Sequence, residues 1–526
     1  MREEKEKRRN NIYFRIFEIS IPRLINLFNL DEFSDEYGNA DREYWGWKLK
    51  DFASGKNWAG LFSIAIGVKS GIIRKDFAEK LLRASLLNIK KHTDKYGALQ
   101  EAYPYEHSMG VTAATLYGIC EAIRILGLKE KIKDEIENLY PLREFLEKYK
   151  EEHGIISNHL AAASASIIAW NRITGEKSER WKYFLDIIFE NQSKKDGFYM
   201  EYEGADPGYQ TLCTEYLFYV FEQTKSKELE ESLKKAGRFL LHFVHPDGTI
   251  GGLYGSRNTE VFYPAGIVGL SRYMEEYACL SKYLQPHSFK FSQHILPHHI
   301  DIGNFVPLLN SYAHASEEYE KNKELILNND MKPTWKRVLE FSFDDAGIFI
   351  KSTEKYYAIL NFKKGGAIKV YDKNEKKLVI SDGGAFGKLK NGKKVSNQIW
   401  SDKNIVIKKN ESEKTNVEII SDIYEMNENY FSPLKSVILR LLAVFIFSRS
   451  REIGELFKKL AVYQLITRKK KVNGKVIRKI IFYPDKVDIK DNIKVEGILF
   501  YKSGIESKAI HMASSGYTLP EKFLQN

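Results

Sequence analysis

The chain has few cysteines and no long uninterrupted apolar run. Its 526 residues include three cysteines, Cys120, Cys213 and Cys279, which lie in apolar segments of helical spacing without CxxC pairs. They indicate buried free thiols in a reducing compartment and exclude a disulfide framework or a cysteine metal site. The N-terminus is charged, and no stretch reaches the ~18 apolar residues of a membrane span. We therefore expect a cytoplasmic protein without a signal peptide.

The sequence also lacks the short motifs of several enzyme classes. It contains no GxSxG, GxGxxG, Walker or HExxH motif. His294, His298 and His299 include a pair four residues apart, but Pro297 interrupts the helix that such a pair needs to bind a metal. We therefore expect neither a metal nor another cofactor.

Positive charge is concentrated in one part of the chain. The formal net charge is +11, and residues 434–480 alone carry thirteen Lys or Arg against two Glu. The rest of the chain is therefore near neutral, which argues against a general nucleic-acid-binding face. Nucleic acid is not an expected partner.

Two kinds of periodicity divide the chain. From residue 58 to about residue 280, apolar residues recur at helical spacing in segments such as MGVTAATLYGICEAIRIL and LAAASASIIAWNRI, joined by short polar loops. This pattern predicts an antiparallel helical array over residues 1–325. After residue 332 apolar residues alternate with period two between the turns DDAG, KKGG, SDGG and KNGK. The alternation predicts an antiparallel β-sandwich over residues 326–526, with HSFKFSQHILPHHIDIGNF as the linker.

Residues 432–471 interrupt the β pattern with a helical one. Their apolar stretch VILRLLAVFIF is flanked by Arg and Lys. A helix in the interface of an anionic membrane has this composition, and each basic residue there contributes about 1 kcal/mol. The alternative is a helical excursion that packs its apolar side on the sandwich and leaves its charges in water. Both interpretations stay open. Under the first of them, an anionic membrane surface is a partner of residues 434–480.

Four short stretches at predicted helix ends concentrate polar and aromatic residues, and a helical array presents a site at such places. They are residues 102–108 with Tyr105, Glu106 and His107; residues 157–159 with Asn158 and His159; residues 206–209 with Asp206 and Tyr209; and residues 254–264 with Tyr254, Arg257, Asn258, Glu260 and Tyr263. Each stretch also has an ordinary structural interpretation, such as a helix cap at Ser157, Asn158 or Asp206, a buried histidine, or an ion pair.

Taken together, these residues resemble a known family. Asn158-His159 at the start of one helix, with Tyr209 opening another some fifty residues later, is similar to the heparinase II/III and alginate lyase superfamily. Residues 41–45, 105–108 and 255–259 resemble heparinase-like proteins encoded among polysaccharide biosynthesis genes. The resemblance implies an incomplete (α/α) toroid followed by an antiparallel β-sandwich, here with a helical insertion. This agrees with the observed order of periods.

The resemblance implies a polysaccharide lyase that acts on a uronate-containing glycan by β-elimination. Tyr209 would remove the C5 proton, while Asn158 and Arg257 would neutralise the substrate carboxylate. His159 or His107 would assist the base. The substrate-binding residues would be Tyr105, Glu106, His107, Tyr254, Asn258, Glu260 and Tyr263. The expected partner is an anionic polysaccharide or a lipid-linked oligosaccharide, met in the cytoplasm or at the inner face of the membrane.

One departure from the family leaves the outcome of this chemistry open. Many relatives contribute a histidine from the β domain, and here only His511 lies in that half. Removal of the C5 proton leaves a carbanion, and reprotonation of this carbanion on its opposite face would be uronate C5-epimerisation. The protein could also be a non-catalytic glycan or membrane-surface factor. A glycoside hydrolase would need paired carboxylates from candidates such as Glu106, Asp206 and Glu260.

Overall fold

The computed structural model describes residues 10–150, 154–411, 414–426, 432–464, 468–509 and 516–517. Its first half is built of helices and its second half mainly of strands, as the change of period predicts. The helices of the first half are α1 (Ile12–Ile25), α2 (Arg42–Trp45), α3 (Leu61–Lys69), α4 (Lys75–His92), α5 (Met109–Leu126), α6 (Lys133–Ile136), α7 (Tyr140–Lys148), α8 (Ser157–Thr174), α9 (Arg180–Asn191), α10 (Pro207–Thr224), α11 (Lys227–Leu241), α12 (Pro264–Leu270), α13 (Glu275–Leu284) and α14 (Ile302–Leu327).

Six of these helices form an inner ring. Helices α3, α5, α8, α10, α12 and α14 contact one another in this order, and α14 returns to α3. At that contact the Ser63 hydroxyl donates to Oδ1 of Asn310 (2.7 Å). The inner helices α8 and α10 are buried on nearly all sides, whereas the outer helix α11 buries one apolar stripe. This two-layered ring is the helical toroid.

Two details differ from the sequence interpretation. The segment AGIVGLSRYMEEYACLSKYL forms two helices, α12 and α13, because the chain turns at residues 271–274 from the inner ring to the outer layer. The stretch HSFKFSQHILPHHIDIGNF is not the linker between the halves. It lies inside the helical half, where it follows α13 and includes the first turn of the long helix α14, and residues 328–338 make the connection to the sandwich.

The apolar packing of the helical half explains two further observations. The three cysteines are buried and free, as expected. Among the described residues, α5 alone has the length and hydropathy of a membrane span, and 78% of it is buried inside the protein. Its apolar composition therefore fits its central place in the ring.

The second half contains two antiparallel sheets. Strands β1 (Met200–Glu201) and β2 (Gly204–Ala205) form a small hairpin in the helical half. The later strands are β3 (Leu339–Phe343), β4 (Ile348–Ser352), β5 (Tyr356–Asn361), β6 (Ala367–Asp372), β7 (Lys377–Asp382), β8 (Phe386–Leu389), β9 (Lys394–Ser396), β10 (Ile405–Glu411), β11 (Lys414–Glu425), β12 (Lys471–Phe482), β13 (Val487–Val495) and β14 (Ile498–Lys502). Strands β3 to β7 form one sheet in sequence order. The other has the order β13-β12-β11-β9-β8-β14, with β10 paired to β11.

Side chains of β5 show how the sheets and the ring pack together. Ala358 and Leu360 point to the second sheet and share an apolar cluster with it. Tyr357 and Ile359, on the opposite face, belong to the core of the helical half. The Tyr357 hydroxyl donates to the carbonyl of His242. Strand β5, at the centre of the first sheet, is therefore buried on both faces and attaches the sandwich to the ring.

The insertion between β11 and β12 is helical, as its sequence predicts. Helix α15 (Pro433–Leu442) continues through a π-helical turn (Ala443–Phe447), and α16 (Arg451–Val462) follows. We call α15, the π turn and α16 the hairpin. It packs on the helical half, where Glu455 accepts a hydrogen bond from the Tyr149 hydroxyl (2.9 Å) and buried Phe447 lies beside Tyr103. The alternative that it packs on the sandwich is therefore wrong.

Candidate active site

The N-terminal ends of several inner helices converge on one cleft. The cleft has a volume of about 140 Å³ and is lined by the first turns of α5, α8, α10 and α14. Asn158, His159, Tyr209 and Tyr263 are among its lining residues. Each helix start brings the positive end of its helix dipole to the cleft. The cleft is therefore an electrostatically favourable place for an anionic ligand.

Asn158 lies in the first turn of α8 and is held by the β1–β2 hairpin. Its Nδ2 donates to Oε1 of Glu201 (2.8 Å), and its backbone N–H donates to the same oxygen (3.2 Å). The Ser157 hydroxyl donates to the carbonyl of Met200 (2.8 Å). The N-cap position is Ile156. The interpretation of Ser157 or Asn158 as a cap is therefore wrong, and the amide of Asn158 is oriented by a buried carboxylate.

The ring of His159 lies against Gly110, in the first turn of α5. A β-carbon on Gly110 would be 2.9 Å from Nε2 of His159 and 3.0 Å from its Cδ2 and Cε1. These distances are shorter than van der Waals contact. Glycine is therefore what leaves room for the imidazole, and α5 sets the position of the ring in the cleft.

Asp206 holds Tyr209 and Arg257 in place. It is the N-cap of α10, and its Oδ1 accepts from the backbone N–H of Tyr209 (3.0 Å). Its Oδ2 accepts from the backbone N–H groups of Arg257 (2.9 Å) and Thr259 (3.3 Å). The predicted cap, with Pro207 in the first turn, is confirmed. Burial raises the pKa of Asp206, and these donors oppose the shift.

Arg257 contacts Tyr209 from outside the cleft. The central carbon of its guanidinium is 3.8 Å from the centroid of the Tyr209 ring, and its Nη1 donates to Oε2 of Glu201 (3.3 Å). Burial acts against the charge, but Tyr209 and Glu201 raise the pKa of Arg257 above its ordinary value. The side chain is 12% exposed. A continuous chain of contacts thus runs from Asn158 through Glu201 and Arg257 to Tyr209. The charge of the guanidinium is directed at Glu201 and Tyr209 rather than into the cleft.

Two residues of the site were not identified from the sequence. Glu201 is fully buried and bridges Asn158 and Arg257. Burial raises the pKa of Glu201, while Arg257 and Asn158 lower it. Lys56, which precedes α3, lines the cleft beside the start of α14. Glu201 lies in a two-residue strand and Lys56 in a short 3₁₀ helix, and such elements are too short for periodicity to mark a side chain as part of a site.

One loop, between α11 and α12, contains four of the proposed substrate-binding residues: Tyr254, Asn258, Glu260 and Tyr263. Tyr263, at its end, lines the cleft. Tyr254 and Asn258 are fully buried against the sandwich. Tyr254 contacts Nε2 of His245 through its hydroxyl (2.7 Å), and Oδ1 of Asn258 accepts from Nζ of Lys364 (2.5 Å). The structure thus gives Tyr254 and Asn258 a supporting place outside the cleft, which corrects the sequence interpretation.

Glu260 lines a second cavity, between the helical half and the sandwich. Its carboxylate pairs with Lys369 (3.3 Å) and Lys508 (2.8 Å). Burial opposes ionisation, but the two lysines lower the pKa of Glu260 below its ordinary value. The cavity has a volume of about 490 Å³, and its basic lining residues are Lys388, Lys394, Lys502 and Lys508. Glu260 is therefore separated from the cleft that contains Asn158 and Tyr209.

Tyr105, Glu106 and His107 belong to the loop before α5. Glu101 of this loop lines the cleft. His107 is fully buried, and its Nδ1 lies 2.6 Å from Oδ2 of Asp94. Glu106 accepts from the backbone N–H of Glu101 (3.1 Å). Glu101 is therefore the residue of this loop that lines the cleft. The predicted residues 105–107 are not among the lining residues.

The three carboxylates considered for a glycoside hydrolase do not form a pair. Asp206 is occupied by backbone N–H groups, Glu106 by its own loop and Glu260 by lysines. Among the described residues that line the cleft, none of the three is present. His511, the histidine considered for the β domain, lies outside the described residues.

Comparisons with known proteins show the class of fold. No family model matches the chain, and no curated protein matches it. Among solved structures, heparinase III is similar, with a TM-score of 0.50 and 11% identity over 91% of this chain and 71% of that one. The chondroitin AC lyase of Streptomyces coelicolor A3 has a TM-score of 0.51 and 9% identity over 93% of this chain and 67% of that one.

A xanthan lyase of Paenibacillus aligns with a TM-score of 0.48 and 11% identity, over 79% of this chain. The chain spans 46% of that lyase, which is less than half of its length. The fold of the present chain is the helical toroid followed by a β-sandwich that the solved polysaccharide lyases share.

Proposed function

We propose that the protein is a lyase that cleaves a uronate-containing polysaccharide by β-elimination in the cleft of the helical toroid. The observation that carries the proposal is the convergence of Asn158, His159 and Tyr209 on one cleft, with Arg257 stacked on the Tyr209 ring. The likeness of the fold to heparinase III and chondroitin AC lyase supports it.

Tyr209 is the proposed base. It takes the proton from C5 of the uronate, the C4–O bond breaks, a C4=C5 double bond forms, and the leaving oxygen receives a proton. A positive charge beside a phenol favours the ionised form that a base requires. Arg257 supplies this charge at 3.8 Å from the ring centroid. The imidazole of His159, which lies against Gly110 and lines the same cleft, assists proton transfer.

The carboxylate of the substrate must be stabilised while C5 becomes a carbanion. Asn158 donates one amide hydrogen to Glu201 and has a second for the substrate. We assign Lys56 as the cation that faces the carboxylate, because it lines the cleft whereas Arg257 stands behind Tyr209. The N-terminal ends of the surrounding helices add partial positive charge.

The proposed substrate class is an anionic glycan. Within this class, we propose a lipid-linked oligosaccharide as the more specific substrate. The loop that contributes Glu101 to the cleft also contacts the hairpin through Tyr103, which supports a substrate presented near the hairpin. We propose the cytoplasm as the location, which the three free cysteines support.

The test is the appearance of an unsaturated uronate, which absorbs in the near ultraviolet, from a panel of chondroitin, heparan, alginate and xanthan substrates. We expect one class of glycan to be cleaved and the Tyr209→Phe variant to lose about 10²-fold to 10⁴-fold in kcat. Tyr216→Phe is the matched control, since Tyr216 lines the same cleft. The proposal fails if no glycan yields the product, or if Tyr209→Phe retains the activity of Tyr216→Phe.

Uronate C5-epimerisation is a second candidate. The observation that favours it is the presence of two side chains that can exchange a proton, Tyr209 and His159, in the same cleft. An epimerase would incorporate solvent deuterium at C5 without chain cleavage. Deuterium at C5 in an intact glycan, lost in Tyr209→Phe, would replace the lyase proposal with this one.

A further inference from the structure

The hairpin presents its apolar stripe to the outside of the protein. Leu434, Val437, Leu441 and Phe445 follow one another at helical spacing and are between 53% and 69% exposed. In a helix on the surface of a protein, such a stripe normally faces the core. Here the stripe faces away from the helical half on which the hairpin rests. The second helix repeats the pattern, with Ile453, Leu456 and Leu460 about half exposed.

The orientation of the hairpin is set by contacts on its inner side. Ala443 and Phe447 are buried, and Arg440 pairs with Asp51 (3.1 Å). The carbonyl of Arg449 accepts from the Tyr96 hydroxyl (3.1 Å). These contacts, together with the hydrogen bond from the Tyr149 hydroxyl to Glu455 of α16, attach both helices to the helical half. The apolar stripe therefore cannot turn inward without breaking buried contacts.

The apolar surface continues onto the neighbouring loop of residues 46–53. Trp47 is 69% exposed and Leu49 is 86% exposed. Asp51 and Phe52 of the same loop contact Arg440 of the hairpin, so this loop is its neighbour. Tryptophan is favoured at the boundary between lipid and water, where its ring is buried and its N–H stays solvated.

Basic residues border this apolar surface. Lys435, Arg449 and Lys459 are exposed, and none has an ion-pair partner among the described residues. The basic residues that follow the hairpin behave differently, because Lys471 and Lys475 both pair with Asp422. The positive charge of β12 is therefore neutralised by ion pairs, whereas the charges of Lys435, Arg449 and Lys459 have no ion-pair partner among the described residues.

An apolar stripe with an uncompensated basic border is complementary to an anionic lipid surface. A second copy of the chain is a poorer occupant, because a two-fold contact would bring the two basic borders together. The helix of α15 and the π turn contains Lys435 and Arg440 within fifteen residues, too short and too charged for a span. It fits a helix that lies in the plane of the interface.

We propose that the hairpin and the loop of residues 46–53 dock the protein on an anionic membrane, with the apolar stripe inserted among the lipids and Lys435, Arg449 and Lys459 at the headgroups. This function is independent of the lyase proposal, since none of these residues lines the cleft.

The test is co-sedimentation of the full chain with vesicles of phosphatidylglycerol and phosphatidylcholine, compared with vesicles of phosphatidylcholine alone. We expect binding to the anionic vesicles, weakened by salt. The Lys435→Gln/Arg449→Gln/Lys459→Gln variant should bind about a hundredfold more weakly. The Leu441→Ser/Phe445→Ser variant should lose binding, although both residues are exposed and the fold should persist.

A matched control removes the same charge elsewhere. Lys75, Lys90 and Lys195 are exposed residues of the helical half, and their triple change to Gln should leave vesicle binding within about twofold of the wild type. Tyr209→Phe should bind like the wild type, which separates this proposal from the lyase.

Three outcomes would overturn the proposal. The first is a wild-type protein that sediments with neither kind of vesicle. The second is equal weakening by the control triple variant and the hairpin triple variant. The third is self-association without lipid that Leu441→Ser/Phe445→Ser abolishes, because the surface would then be an interface between copies.

Discussion

Replacing Gly110 by alanine should displace the His159 ring and lower activity without unfolding the protein. The added β-carbon would lie 2.9 Å from Nε2 of His159. Carbon and nitrogen atoms prefer separations of about 3.5–4.0 Å, so the ring must move by roughly 0.6–1 Å. A misplacement of about 1 Å at a reacting group can cost on the order of 10²-fold in rate. We therefore expect kcat to fall between tenfold and about a hundredfold.

The same change should have little effect on stability. Alanine is the better helix former by about 1 kcal/mol. His159 is partly exposed at the cleft, so its ring can move aside without compressing the core. We expect the free energy of unfolding in urea to change by less than about 1 kcal/mol. Activity and stability should thus respond differently.

The assay is the initial rate of unsaturated uronate formation, measured together with urea denaturation. A double-mutant cycle with His159→Ala identifies the route of the effect. If Gly110→Ala acts through the imidazole, it should cause no further loss when His159 is absent. Full activity of Gly110→Ala, or the same loss in both backgrounds, would refute the reasoning.

Three further predictions concern buried carboxyl groups. Burial raises the pKa of Glu215 from 4.5 to about 8. The native state then binds a proton that the unfolded state releases, so the free energy of unfolding falls by about 5 kcal/mol as the pH rises between these values. Glu215→Gln should abolish this fall in urea titrations, and parallel curves would contradict the assignment. Asp206→Ala leaves three backbone N–H groups unpaired and should lower the free energy of unfolding by about 3 kcal/mol, with a smaller loss in Asp206→Asn. A loss below about 1 kcal/mol in Asp206→Ala would disprove the role of Asp206 as their acceptor. Glu201→Gln removes the counter-charge of Arg257 and should also lower the free energy of unfolding by about 3 kcal/mol. Adding Arg257→Met should partly restore the stability, and strictly additive losses in the double variant would argue against the ion pair.

The helices and strands were largely predictable because their signals are local. The apolar period of MGVTAATLYGICEAIRIL coincides with α5, and Asp206 followed by Pro207 marks the start of α10. The break between α12 and α13 was not predicted. Apolar spacing continues across residues 271–274 because both helices are buried, one in the inner ring and one outside it. Periodicity indicates which face of a segment is apolar. It does not indicate that the chain passes from the inner ring to the outer layer of helices.

The candidate site was partly predictable for a related reason. Asn158, His159 and Tyr209 could be identified because helix starts have recognisable sequences and the residue types suit acid–base chemistry. Glu201 could not be identified, because its importance lies in its distance to Asn158 and Arg257. Tyr254 and Asn258 were misplaced for the opposite reason. Their polar groups suggest a ligand, but both residues are buried and already have partners in the protein. Tyr254 contacts His245 of its own loop, and Asn258 accepts from Lys364 of the sandwich.

The sequence by itself determined the two-part plan, the buried thiols and the amphipathic character of residues 432–464, because each depends on the order of residues within a short window. The tertiary structure alone decided which helix ends meet at the cleft and that Arg257 stands behind Tyr209. It also decided that the apolar stripe of the hairpin faces outward. These features depend on contacts between residues far apart in the chain, and such contacts are set by the packing of the ring and the sandwich.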